Sequence, residues 1–450
     1  MKLGDLRIEK PLYRTPVSLL IDDLTPCINP AYYFALQVPH DALWYVYRSK
    51  NGNRYFTEDK NFTSPIKKEI APDFIRKFAS WCRTEDLKGK ISLIPYPAGL
   101  GRIDKTIEGF PRRQVQDFVS VVKNQLAEKF DVCPEMLTHT NALDLKTKKL
   151  RSESEHDWSQ NKKSKVLTPY ITFGLEILKN AGLEPSGITS PINFGMYSEA
   201  DYVKSILDAC KSVLGRKVVW YFLREDPDSL NLSPRLMYFD RTNAECVVSI
   251  VVCASDIFWA SQYTEKSMET YIHDSVGSLI SKDGTEGRIA DLIANDSWIF
   301  LVTHWQSLYS NGSYIGFEGL KELVSRLNSL VREKITWMKC SDVAEYTAAT
   351  NAALLRTIVA DGALRIEASG PIDCKNFTFS FESTDHLSSI IKEGRKLFRA
   401  PTREKLQSDS WYFDATRNRT IICLGNLGSS GWTIPKDDPS SRFGISLRVS

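Results

Sequence analysis

The sequence predicts an α/β fold followed by a small β-rich region, and three observations carry this reading. Short apolar, β-branched runs alternate with stretches of helical period from Pro16 to Val331. At 450 residues the chain exceeds one ordinary core, so two domains, or one large barrel with an appendage, are expected. After Cys340 the apolar period falls to two, as half-buried antiparallel strands require.

Pro16-Val-Ser-Leu-Leu-Ile21 predicts a buried strand closed by Asp22-Asp23. Ile91-Ser-Leu-Ile-Pro-Tyr96 predicts a second, running into the loop Pro97–Gly101. From Arg113 to Phe130, the residues Val115, Phe118, Val119, Val122 and Leu126 form the stripe of an amphipathic helix. A short helix is expected over Ile171 to Ala181, stopped by Gly182, and another over Asp201 to Leu214. Strands are expected at Lys217–Leu223, Val247–Cys253 and Trp298–Val302. The last ends at Thr303-His304-Trp305 and leads to a helix from Phe317 to Val331. This alternation predicts an α/β barrel or a doubly wound sheet.

Beyond Cys340, a helical stretch (Ser341 to Val359) precedes the alternating segments Ala363–Ala368 and Phe377–Glu382. Ser410–Phe413, Arg419–Cys423 and a Gly/Ser/Pro-rich tail follow, and together they predict a small antiparallel domain or sandwich. The change of character lies between Cys340 and Gly362, and we divide the chain into residues 1–345 and 346–450. Lys146–Lys165 is polar and charged, and is expected to be an active-site loop.

The formal net charge of +3, from 58 Lys+Arg against 55 Asp+Glu, gives no electrostatic reason to expect nucleic acid or an anionic membrane as partner. No apolar run approaches the roughly 18 residues of a membrane span, and the first residues lack the pattern of a secretory signal. Nine cysteines, an odd number with no CxxC pair, predict reduced thiols and a cytoplasmic location. The Asn61-Phe-Thr and Asn311-Gly-Ser triplets then read as chance.

Reactive groups of an α/β barrel lie at the C-terminal ends of its strands, and three constellations fall there. Asp22-Asp23 offers one carboxylate for a metal and one as base, although a strand-end turn also favours aspartate. Leu137-Thr-His-Thr-Asn-Ala-Leu-Asp144 and Glu153-Ser-Glu-His-Asp-Trp158 bring His139 and His156 among carboxylates, the ligand types of zinc and similar divalent ions. A solvated charged loop is the plainer reading of His156. His304 follows an apolar strand and suits a general acid near neutral pH, or a buried imidazole bonded to a backbone carbonyl.

In order and spacing these segments resemble the polysaccharide deacetylase family of carbohydrate esterases, in a divergent form. The resemblance covers Val17 to Cys340. It rests on Leu20-Ile-Asp-Asp23, Leu137-Thr-His-Thr140, Gly187-Ile-Thr-Ser-Pro-Ile-Asn-Phe-Gly195 and Val302-Thr-His-Trp305, with support from Pro95–Gly99 and Gly174–Gly182. It implies a distorted (β/α) barrel, a carbohydrate substrate and a divalent cofactor, zinc being the expected ion. It further implies Asp22 as base, Asp23 and His139 as metal ligands, and His304 as the acid that protonates the leaving amine. Ser190 and Pro191 take the place of the family's proline-containing motif, which shapes the groove wall.

The sequence departs from the family at Leu143, where a second histidine is usual, so the third ligand falls to His156 or Asp144. The arginine of the proline-containing motif is also missing, with Thr189 and Ser190 in its place. Tyr96, Trp158 and Trp305 are candidate stacking surfaces for sugar, as are Phe194 and Tyr309, though most aromatics are simply core. Two other function classes stay open: a glycoside hydrolase pairing Asp22 with Asp23, Glu155 or Asp157, and a non-catalytic carbohydrate-binding protein.

Overall fold

The computed structural model describes residues 5–37, 46–48, 50, 53–56, 64–360, 363–383, 387–427 and 443–449. Asn61 and most of the Gly/Ser/Pro-rich tail lie outside them. The fold is mixed α/β, with parallel sheets leading into a mostly antiparallel region, in which Phe398–Arg399 alone among the described pairs runs parallel to its neighbour Ser410–Asp414. Four parallel strands pair in the order Ile299–His304, Thr15–Leu24, Gly89–Leu93 and Phe130–Pro134. Ile335–Trp337 adds to the first residues of Thr15–Leu24.

A second sheet places Gly187–Thr189, Val218–Glu225 and Glu245–Val252 in parallel, with Arg235–Asp240 antiparallel at its edge. The two sheets meet at both sides. Parallel bridges join Val132 to Pro185 and Glu135 to Thr189, and the Cys253 N–H donates to the Phe300 carbonyl at 3.0 Å. Seven parallel strands therefore follow one another edge to edge.

All ten residues of Thr15–Leu24 are buried, as expected of a strand covered on both faces. Its outer face meets the helices Phe74–Thr84, Arg112–Val121 and Ile315–Leu330, whose apolar stripes join one core with Val17, Leu19 and Ile21. Phe74 and Phe78 close on Trp305, with ring centroids 4.4 and 5.6 Å away. Gly182, at φ +80°, ends the helix Ser164–Asn180 as its position in the sequence requires.

The antiparallel region has two five-stranded sheets. One runs Arg7–Ile8, Lys375–Glu382, Arg419–Asn426, Ser410–Asp414, Phe398–Arg399. The other runs Leu354–Ala360, Ala363–Gly370, Phe443–Val449, Ile390–Lys392, Arg395–Lys396. Phe377, Phe379 and Phe381 face the core that the two sheets share with Ile366, Ala368 and Leu447. The intervening Thr378 and Ser380 are also buried, because the segment before the first long strand crosses that face. Leu12 N–H donates to Thr378 Oγ1 at 3.0 Å, and Ser380 Oγ to Glu9 Oε1 at 2.5 Å.

The helix Cys340–Ala352 joins the two regions. Its buried Tyr346 hydroxyl donates to the Glu9 carbonyl at 2.6 Å and accepts the Thr378 N–H at 3.2 Å. The helical pattern expected to reach Val359 ends at Ala352, and Leu354–Ala360 is a strand paired with Ala363–Gly370. Its β-branched Thr357, Ile358 and Val359 suit that pairing.

Lys146–Lys165 is not an open loop. Leu150–Ser154 returns as a strand against Asn141–Leu143, Glu155–Ser159 is a short helix capped by Ser154, and Ser164 begins the next helix. All nine cysteines are buried as free thiols. Among the described residues no helix is long and apolar enough to cross a membrane.

Candidate metal centre

A cleft of about 760 Å³ opens at the C-terminal ends of the parallel strands. Asp22, Asp23, Glu135, His139, His304 and Gln306 meet along it. The size lies within the range of small-molecule sites, roughly 300–1,000 Å³.

Asp23 reaches the cleft because its strand bulges. The register against Gly89–Leu93 slips between Ile21 and Leu24, and Asp23 takes a left-handed φ of +64°. His139 is held at φ +58°. Left-handed backbone at a non-glycine residue costs of order 1–3 kcal/mol and persists where surrounding contacts hold it.

Those contacts are present. The buried Glu155 carboxylate accepts the N–H groups of Leu137, Thr138 and His139 at 2.9, 3.2 and 2.9 Å, and the Tyr170 hydroxyl at 2.6 Å. Successive amides converging on one anion form a nest, which fixes the loop that presents His139. Burial pushes the Glu155 carboxyl upward in pKa, against these bonds.

His139 Nε2 lies 2.7 Å from Asp23 Oδ1 and 3.6 Å from Glu135 Oε1. Glu135 Oε2 accepts the Asp23 N–H at 2.7 Å and the Ser92 hydroxyl at 2.6 Å. Gln306 Nε2 donates to Asp23 Oδ2 at 2.6 Å. One ligand atom each from Asp23, Glu135 and His139 lies within 4.8 Å of the others. Two carboxylates and an imidazole suit a divalent cation of the zinc type, with bonds near 2.0–2.2 Å.

Burial alone would depress the His139 imidazole and raise the Asp23 carboxyl. Their mutual attraction prevails, holding the imidazole well above its ordinary pKa and the carboxyl below the usual range. A cation entering there displaces the imidazole proton, so its binding is pH-dependent.

Asp22 lines the same cleft, and its Oδ1 is ion-paired with Lys90, which is fully buried beneath the floor. Lys90 also donates to Thr189 Oγ1 at 2.8 Å, and Ser92 Oγ lies 3.1 Å from Asp22 Oδ1. Burial lowers the Lys90 pKa. At the opposite edge, His304 Nδ1 is 2.9 Å from Asp256 Oδ2, which also accepts the His304 N–H at 3.1 Å. Burial pulls this imidazole down, and the Asp256 hydrogen bond with nearby carboxylates brings it above its ordinary value. Trp259 packs edge-on against it, with ring centroids 5.2 Å apart.

The expected site residues therefore divide. Asp22, Asp23, His139, His304 and Ser190 line the cleft, as does His156. Ser190 Oγ is tied to the Tyr202 hydroxyl at 2.8 Å. His156 stands outside the ligand cluster, with Nε2 3.4 Å from Ser154 Oγ and 3.5 Å from Asp157 Oδ1. Asp144 is further removed: it closes a turn through the N–H groups of Lys146 and Thr147 and pairs with Arg151 at 2.6 Å.

Trp158 is buried against Tyr170 at 4.6 Å, Trp305 against Phe74, and Tyr96 packs between two cores. None of the three lines the cleft, because each ring is consumed by packing. Pro191 is buried beside the wall, which its neighbours Ile192 and Asn193 form. Leu143, where the family has histidine, is core, and its N–H donates to the Tyr170 hydroxyl at 3.0 Å.

Sequence reasoning missed Glu135, Lys90, Asp256, Gln306 and Trp259. Glu135 had a signal, since it follows the strand Phe130–Pro134 and precedes His139 by four residues. Asp256 follows the strand Glu245–Val252 in the same way. Nothing local marks Lys90, whose importance arises only when its strand lies beside Asp22.

No family model and no curated protein sequence matches the chain. Among solved structures, a deacetylase (PplD) of Streptococcus pyogenes in complex with acetate is similar at 11% identity and a TM-score of 0.23, over 53% of this chain and 92% of that one. A cycloalternan-forming enzyme of Listeria monocytogenes, in complex with a pentasaccharide substrate, is similar at 10% identity and a TM-score of 0.31, over 84% and 53%. Amy13B of Eubacterium rectale is similar at 8% identity and a TM-score of 0.30, over 99% and 97%. All three TM-scores lie below 0.5, so none bears on the chemistry of this cleft.

Proposed function

We propose that the protein is a metal-dependent hydrolase that removes an N- or O-acetyl group from a carbohydrate, on a distorted (β/α) barrel of the polysaccharide-deacetylase type. The observation that carries this reading is the convergence of Asp23, Glu135 and His139 on one cleft with Asp22 and His304. The domain division at residue 345 belongs to the same proposal, with residues 346–450 as the β-rich partner of the catalytic part. We assign the third ligand to Glu135 rather than His156 or Asp144.

A divalent cation held by Asp23, Glu135 and His139 supplies Lewis-acid polarisation of the acyl oxygen and a more acidic water. Asp22, with Oδ1 committed to Lys90, has Oδ2 left to accept the proton of the attacking water. The hydroxyl adds to the acyl carbon. His304, anchored to Asp256 through Nδ1, then delivers a proton from Nε2 to the leaving nitrogen or oxygen. The C–N or C–O bond breaks and acetate departs. Gln306 fixes the Asp23 carboxylate through Oδ2, turning Oδ1 toward His139.

The test is metal content of the purified protein, with Asp23→Ala and His139→Ala as controls, followed by acetate release from acetylated oligosaccharides. One equivalent of zinc or another divalent ion, lost in both variants, is expected. A wild-type protein that takes up no metal and cleaves glycosidic bonds would replace this reading with the glycosidase one.

The acid role has its own signature. His304 is charged below its raised pKa and loses its proton as pH rises through that value, so kcat/KM falls on the alkaline side. Asp256→Asn removes the hydrogen bond and charge that contribute most to raising the imidazole, leaving burial, which lowers it, against the more distant Asp23 and Glu135. The alkaline limb is expected to move to lower pH, read from a pH–rate profile. An unmoved limb would remove His304 from that step.

A further inference from the structure

A second cavity lies at the other end of the parallel strands, in residues the proposed reaction does not use. It is formed where Glu9 and Lys10 enter the first long strand, Asp296 precedes Ile299–His304, Lys334 precedes Ile335–Trp337, and Arg403 and Arg417 reach over from the antiparallel region. Thr15 on this wall and Asp23 in the cleft are eight residues apart along one strand, about 26 Å at 3.3 Å per residue. The cavity therefore stands apart from the metal centre.

Its charge is unbalanced, with four cations facing two carboxylates. Both carboxylates are engaged: Glu9 accepts the Ser380 hydroxyl at 2.5 Å, and Asp296 pairs with Lys10 at 3.0 Å. The cations are less fully used. Lys334 has no side-chain partner among the described residues, and Arg417 spends Nη1 on the Tyr13 hydroxyl at 2.7 Å. Arg403 gives Nε (2.9 Å) and Nη2 (2.5 Å) to the Tyr13 carbonyl and lies over the Tyr13 ring, which leaves Nη1 without a hydrogen bond among the described residues. Lys10 is committed to Asp296, through its carboxylate and its carbonyl, and burial lowers its ammonium pKa.

The volume, about 100 Å³, far exceeds the 10–15 Å³ that one water needs, and it is too small for a polymer. Planar guanidinium forks beside point-charge ammoniums are the donors that phosphoryl oxygens accept. We propose that this cavity binds a single phosphoryl dianion, either inorganic phosphate or the phosphate of a sugar phosphomonoester. Occupancy joins the entry to the first long strand, the start of two others and the antiparallel region through one ligand.

Isothermal titration of the full chain at low ionic strength tests this, with inorganic phosphate, glucose 6-phosphate and glucose as probes. Lys334→Gln and Arg417→Gln serve as variants, because both side chains are exposed and neither supports the core. One phosphate per chain is expected, at least tenfold weaker in each variant, with a phosphate-dependent rise in Tm that the double variant loses. Tighter binding of glucose 6-phosphate than of phosphate identifies the sugar ester as the source. Equal binding identifies the free anion. No binding at millimolar phosphate, or equal affinity in the variants at unchanged Tm, overturns the proposal.

Discussion

Lys90→Met is expected to destabilise the protein by about 3–5 kcal/mol, the cost of stripping one partner from a buried ion pair. Lys90 is completely buried and Asp22 is 3% exposed, so neither charge is paid for by water. Methionine fills the aliphatic volume of lysine but leaves Asp22 Oδ1 facing Ser92 and, beyond it, the carboxylate of Glu135. The double variant Asp22→Asn/Lys90→Met removes both charges together. It is expected to recover most of the lost stability while remaining inactive, because the amide cannot take a proton from water. Urea denaturation of the three proteins measures this. A single variant within about 1 kcal/mol of wild type would overturn the reading of Asp22 and Lys90 as a buried ion pair.

Glu135→Gln is expected to weaken divalent-metal binding by at least about 100-fold while leaving the fold intact. Loss of even an outer-shell partner typically costs 10–100-fold in affinity, and Glu135 supplies both an oxygen and a charge. Its amide replacement retains one acceptor for the Asp23 N–H, so the bulge at Asp23 survives. His156→Ala is the matching control, since His156 lines the cleft without joining the ligand cluster. Its affinity should stay within about twofold of wild type. The converse pattern, a strong effect at His156 and none at Glu135, would return the third-ligand role to the histidine. Competition against a chelating dye reads both.

The comparison of sequence with structure turns on what each residue's neighbours decide. Asp22, Asp23 and His304 were legible because long apolar strands end on them, and a strand end in a parallel sheet has only one place to go. Glu135 was harder. The strand before it, Phe130–Pro134, is interrupted by Asp131 and closed by proline, which blunts the apolar run.

Lys90 carries no local signal in Lys88-Gly-Lys90, and only the sheet order exposes it as the counter-ion of Asp22. The aromatics misled in the other direction. Trp158 and Trp305 lie within two residues of cleft histidines, yet each turns into a cluster of rings. Burial of a large ring is worth more than its availability to a ligand. Lys146–Lys165 read as loop because its charges hide a two-strand return, whose pairing is set by the backbone rather than by an apolar pattern.

The strand Arg7–Ile8 has a kinetic consequence. Its partner in the antiparallel sheet, Phe379–Ser380, leaves the ribosome some 370 residues later. At about 5–20 residues per second that delay is roughly 20–75 s. The parallel strands can assemble during that interval, while the first few residues stay unpaired beside a growing chain. The sheet built around Lys375–Glu382 then captures Arg7–Ile8 across that interval as one closing event. Release before residue 380 leaves Arg7–Ile8 without this partner, so a prematurely terminated product carries an unpaired edge.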